Sequence, residues 1–302
     1  MKTTRAVVCC LFLAAAAGQA QQMRQPVLGW IFDGRSGRIR AIAGVSGSAI
    51  VDQPLAVEPR FRFAAIAPGR NLAIAESEDS IGLVRWDSGV ASVATLEDAL
   101  RDLDGVVYSP SGRAAVLRSG KQIQLWGGLH ENPSRIADLE DAAGVMAVSD
   151  EGTLAMAHEG VVSIRDAAGA DRITYEGGNV TALAFRPLSG DLAIADDQRG
   201  EVHLASSGFT RVLAASDRPA SMAFSADGDK LGITAAESAL LVSLRTGETQ
   251  TVACLCASNA IERMQGNAVF RLGAATKGAI RFLDGDAVEP RLFTVPQIGE
   301  RQ

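Results

Sequence analysis

The side chains best suited to chemistry are few and scattered. The 302-residue chain has three histidines, His130, His158 and His203. A metal site needs several ligands at one point. These three fall at different phases of a repeating pattern, so nothing in their spacing brings them together, and structural histidines are the expectation. Cys254 and Cys256, in "VACLCAS", lie two residues apart in an expected strand. Their side chains would point the same way, with Cα atoms near the ~6.8 Å outer limit for a disulfide. Two buried thiols are therefore expected, with a strained bridge as the alternative. No Gly-x-Ser-x-Gly elbow occurs; "GVSGSAI" (44–50) comes nearest and lacks the spacing. No Gly-Lys-Ser/Thr phosphate loop occurs either. No catalytic or metal-binding residue is assigned, and no cofactor is expected.

The acidic residues are better organised. Glu76, Glu78, Asp79, Asp196, Asp197 and Glu237 follow the second strands of their repeats. Glu97, Asp98, Asp102, Asp104, Glu140 and Asp141 precede first strands. An architecture that puts these two loop sets on one rim would give an acidic face. That face suits a cation or a basic partner protein. The plainer reading is a set of solvated loops that maintain solubility.

The elements that must position these residues repeat along the chain. A turn glycine recurs as Gly112 in "SPSG", Gly152 in "SDEG", Gly190 in "RPLSG", Gly228 in "SADG" and Gly266 in "MQGN", at intervals of 40, 38, 38 and 38 residues. A second marker, at Trp86, Trp126, Arg165, Ala205, Arg245 and Leu283, is spaced by 40, 39, 40, 40 and 38. Two markers keeping one period indicate a structural repeat. Within each unit, short apolar runs alternate with Ser/Asp/Gly turns about every 8–12 residues, which reads as strand. Four short strands per period is the pattern of a propeller blade. Six full units begin near residues 61, 105, 144, 181, 220 and 261. An N-terminal stretch (27–51) reads as a seventh that starts at its third strand. Seven blades are favoured, with a six-bladed ring as the alternative. The segment "TLEDALRDLDG" (95–105), where Thr95 and Asp98 could form a capping box, is read as one or two helical turns.

Composition and the N-terminus bound the setting. The chain is 47% hydrophobic and 21% charged, with 31 glycines. This suits a globular domain with many tight turns. "MKTTRAVVCCLFLAAAAGQA" has a basic start, an apolar run from Ala6 to Ala17 and a small-x-small end, the pattern of a secretory signal peptide. The run is shorter than the ~20 residues needed to span a bilayer. The expected organisation is a signal peptide (1–20), a short linker (21–26), one propeller (27–296) and a tail (297–302). Removing Lys2 and Arg5 changes the net charge from −6 to −8. That balance disfavours nucleic acid and anionic membranes as partners.

The units resemble WD-repeat-like and YVTN-type β-propellers. The residues carrying the resemblance are Ser109-Pro110-Ser111-Gly112, Ser149-Asp150-Glu151-Gly152, Ser225-Ala226-Asp227-Gly228 and Trp86-Asp87. It implies an all-β propeller over nearly all of the chain after residue 20. The Ser/Thr-His-Asp-Trp network of true WD repeats is mostly missing, and no cofactor-binding residues are carried over. Propellers host many functions. The expected function is an exported, non-enzymatic monomer that binds another protein, with the twelve acids as its rim. The alternative is a hydrolase or lactonase-like enzyme with its site at the central channel. The innermost strands carry few charges for that role: Arg62, Arg186, Glu262 and Arg263.

Overall fold

Each repeat folds as an antiparallel four-stranded sheet because its apolar runs are too short for anything else and Ser/Gly turns separate them. The computed structural model describes residues 25–140, 144–165, 169–254, 260–273 and 278–296. The first sheet has strands β1 (Val27–Asp33), β2 (Arg38–Val45) and β3 (Ser48–Pro54). Blade 2 has β4 (Phe63–Ile66), β5 (Leu72–Glu76), β6 (Ile81–Asp87) and β7 (Val90–Thr95). Blade 3 has β8 (Gly105–Tyr108), β9 (Ala115–Ser119), β10 (Gln122–Gly127) and β11 (Ser134–Glu140). Blade 4 has β12 (Val145–Val148), β13 (Leu154–His158), β14 (Val161–Arg165) and β15 (Asp171–Glu176). Blade 5 has β16 (Val180–Phe185), β17 (Leu192–Asp196), β18 (Glu201–Ser206) and β19 (Phe209–Ala215). Blade 6 has β20 (Ser221–Phe224), β21 (Lys230–Thr234), β22 (Ser238–Ser243) and β23 (Thr249–Ala253). Blade 7 has β24 (Ile261–Arg263), β25 (Val269–Leu272), β26 (Ile280–Asp284) and β27 (Arg291–Val295).

These sheets form a seven-bladed β-propeller, so the six-bladed alternative falls. Within each four-stranded blade the strands pair in chain order, with the first innermost. Seven clusters of buried side chains fill the ring, each shared by two consecutive blades. The cluster joining the two ends of the chain holds Ile31, Ile42 and Val51 from the first blade. From the last it holds Met264, Val269, Ile280, Phe282 and Val295. The ring therefore closes by packing, and no strand of one end joins the sheet of the other.

Three expectations need correction. The first blade has three strands, not a third and a fourth alone. Its β1, β2 and β3 alternate in direction and lead into β4, so β1 takes the second-strand position. Among the described residues, no strand occupies its inner place. The segment 95–105 is not helical. Buried side chains take the backbone N–H groups of Leu100, Asp102 and Leu103, while Asp98 and Asp102 adopt left-handed backbone with φ of 58° and 56°. Cys254 is in a disulfide, not a free thiol. The strand β23 ends at Ala253, so Cys254 lies just beyond it; Cys256 lies outside the described residues. The segments 1–20 and 297–302 and Asp141 also lie outside them.

The repeated turns do two jobs. In the third blade, Ser109 Oγ accepts from Ala114 N–H, and Gly112 N–H donates to the Ser109 carbonyl. The same turn then bonds the next blade, with Ser111 N–H and Oγ both donating to Asp150. Similar links run from Arg186 to Gly228, from Asp227 to Asn267 and from Gln265 N–H to the Leu28 carbonyl. Gly112 has φ of 75°, and a Cβ there would sit 2.9 Å from that of Ala67. Gly190 differs: it is not left-handed and has open space around it, while Leu188 takes the positive φ of its turn. Gly112→Ala should therefore cost about 1–3 kcal/mol, whereas Gly190→Ala should stay within about 0.5 kcal/mol of neutral. Urea denaturation of the two variants checks this, and equal costs would show that the markers are equivalent.

Candidate functional site

The upper face is defined here by the first-to-second-strand turns. The lower face carries the second-to-third-strand turns and the connections between blades. Every described member of the predicted acidic set lies at the lower end of the blades. They do not form an even ring: Glu76, Glu78, Asp79, Glu97, Asp98, Asp102 and Asp104 gather around blades 2 and 3. Glu140, Asp196, Asp197 and Glu237 are spread over later blades.

Two of these acids are internal fasteners. Glu76 is 1% exposed. Its carboxylate accepts from Asp102 N–H at 2.7 Å, Leu103 N–H at 3.1 Å and Arg62 at 2.5 Å. Gln124, also buried, accepts from Leu100 N–H at 2.9 Å and donates to the Asp98 carbonyl at 3.0 Å. The loop from 96 to 104 is thus pinned from beneath at both ends. Leu96 and Leu103 turn inward, while Glu97, Asp98, Asp102 and Asp104 stay exposed.

Asp196 has the same position in blade 5 and is fully buried. It accepts from the Tyr175 hydroxyl at 2.7 Å and from the N–H groups of Gly178, Asn179 and Arg199. Burial alone would raise its pKa, but these donors outweigh it and hold the carboxyl at about 2.

Arginines thread the same face. Arg62 bonds Asp102 at 2.7 Å, Arg118 bonds Asp104 at 2.6 Å, and Arg101 donates to the carbonyls of Glu78 and Asp79. The Arg118 guanidinium is the main cause that lowers the Asp104 pKa. Glu78, Asp79, Glu97 and Glu140 are exposed. Asp197 is half-buried beside Asn179, and the exposed Glu237 lends its carbonyl to Cys254 N–H.

The central channel encloses a cavity of about 920 Å³. Most of its wall is apolar or small, from Phe63 and Val107 round to Phe185 and Phe224. Charge is confined to one sector, where the first blade lacks an inner strand: Asp33, Arg35, Glu262, Arg263 and Arg271. Arg271 donates to Glu262 at 2.6 Å. Arg263 crosses the upper end and donates to the carbonyls of Pro68 and Pro110, both at 2.9 Å. Burial and the nearby Arg70 push its pKa below the ordinary value. The sequence flags Arg263 only as a charge on an inner strand. Its reach depends on the vacant place in the first blade, which no local pattern encodes.

The histidines stay apart as expected. His130 lies between β10 and β11, exposed His158 ends β13, and buried His203 sits in β18. Among the described residues, no group of three or more His, Cys, Asp or Glu is placed to hold a metal.

Lowering the pKa of Asp196 stabilises the fold above the unfolded carboxyl value. That contribution disappears as pH falls from about 4 toward 2. Asp196→Asn should cost about 2 kcal/mol at neutral pH, and the gap from wild type should close over that acid range. Urea midpoints at several pH values test this; a gap independent of pH would contradict it.

No protein-family profile matches the chain, and no curated protein sequence matches it. Its fold is similar to solved structures at low identity. A protein of unknown function from Desulfotomaculum acetoxidans aligns with a TM-score of 0.61 and 12% identity, over 90% of this chain and 100% of that one. PorZ of Porphyromonas gingivalis, described as a surface component of the type-IX secretion system, aligns at 0.59 and 14%, over 91% of this chain and 39% of that one. Hsv2 of Kluyveromyces lactis aligns at 0.55 and 13%, over 89% and 98%. These likenesses establish the propeller fold. They assign neither a WD-repeat nor a YVTN family.

Proposed function

We propose that this chain is an exported β-propeller that binds another protein through the lower face of blades 2 and 3. The observation that carries this reading is the 96–104 loop. Glu76 and Gln124 hold it from below while its carboxylates face outward. A loop ordered before binding loses little entropy on binding, which suits recognition. Exposed Glu78, Asp79, Glu97 and Asp98 favour a partner with basic groups opposite them. Export rests on the tripartite pattern of residues 1–20. The surface role stated for PorZ is in keeping with it but adds no residue-level support.

A second reading places an enzyme site at the charged sector of the channel, around Glu262 and Arg271. One preparation separates the two. Tagged protein is crosslinked in its native envelope and analysed by mass spectrometry, beside a variant with Glu78, Asp79, Glu97 and Asp98 changed to the amides. The proposal expects one dominant partner, lost in the variant while the thermal midpoint is kept. Equal capture by both proteins would overturn the assigned face. No enriched partner, with stoichiometric metal in the purified protein, would favour the channel enzyme.

A further inference from the structure

The upper face carries a feature that the lower-face reading does not use. A groove of about 670 Å³ lies between blades 2 and 3. Arg70, Arg85 and His130 line one part of it, and Leu72 and Val90 give it an apolar wall. Asp87 is the one acid on that lining. Val90 is 75% exposed, so the apolar lip is open.

The groove's polar atoms are undersatisfied. Arg85 Nε and His130 Nε2 are buried with no hydrogen-bond partner among the described residues. Two such nitrogens at one groove are unusual, because buried polar nitrogens are nearly always paired. Arg85 gives its Nη2 to the Leu129 carbonyl at 2.8 Å, and Arg70 gives its Nε to the Ser111 carbonyl at 3.2 Å. Among the described residues, neither guanidinium has a carboxylate salt-bridge partner.

The electrostatics around His130 point the same way. Arg70 comes from the β4–β5 turn, Arg85 from β6, Arg113 from the β8–β9 turn and Asp150 from the β12–β13 turn. Burial lowers the His130 pKa, Arg70, Arg113 and Arg85 lower it further, and only Asp150 opposes them. Three arginines face Asp87 and Asp150 there, so positive charge is in excess.

We infer that this groove binds an organic anion, with its oxyanion head against Arg70, Arg85 and His130 and its apolar body against Leu72 and the exposed Val90. A charged head satisfies the cations, and a short hydrocarbon body covers the exposed lip.

The test is NMR of the histidine ring protons in the full chain, titrated with octanoate, inorganic phosphate and octylamine. Octanoate should shift the His130 resonance saturably and raise its apparent pKa, leaving His158 and His203 unmoved. Phosphate, which has the head alone, should bind more weakly, and octylamine should not bind. Arg70→Glu should weaken octanoate by at least about tenfold. Arg70 is exposed, so the fold should tolerate this change. Val90→Ser should weaken octanoate and leave phosphate unchanged, which tests the apolar wall separately. An absence of saturation by octanoate, an equal response to octylamine, or unchanged affinity in Arg70→Glu would each overturn the inference.

Discussion

The fold depends on the contact between its last and first blades. A ring of sheets is stable only if every blade has two neighbours, because each interface buries one apolar face from either side. Here the chain ends meet mainly through side chains. Ile42 and Phe282 are fully buried on the two sides of that seam. Gln265 N–H adds a backbone bond to the Leu28 carbonyl across it. Losing the seam would expose two blade faces at once.

The three-stranded first blade also shapes the interior. Its vacant inner position widens the channel on one side and lets side chains from blade 7 reach into it. Arg263 uses this room to hold the upper turns of blades 2 and 3. A buried guanidinium bonded only to carbonyls is costly unless its donors are met. The turn prolines Pro68 and Pro110 supply those acceptors. The same vacancy concentrates Glu262 and Arg271 in the charged sector, so polarity in the channel follows from an irregularity of the ring.

The repeat was legible because turn chemistry is local. Ser109, Ser149 and Ser225 announce hairpins through their own backbone bonds, and the expected unit starts fall within two residues of the observed strands. In the first blade the second-to-third-strand turn, in "FDGRSGRI", is similar in sequence to the third-to-fourth-strand turn of the last, in "FLDGDAVEPRL", so local pattern does not fix which strands it joins. The 95–105 segment was misread because its helix signal is local, whereas the groups that override it, Glu76 and Gln124, lie about twenty residues away on either side. The acidic loops fall at one end of the blades because they share a strand phase. Their roles are not legible, since a charge that fastens a loop and one that is free to meet solvent look alike in sequence. Glu76 and Glu78 are two residues apart, yet the first is buried against backbone donors and the second is exposed.

Amide hydrogen exchange in the chain and in its Ile42→Ala variant tests the closure directly. If packing at the seam completes the ring, the variant should lose protection together in 27–54 and 261–295, while blades 4 and 5 keep theirs. Loss confined to 27–54 would contradict the account, because it would mean that blade 7 does not depend on the first blade.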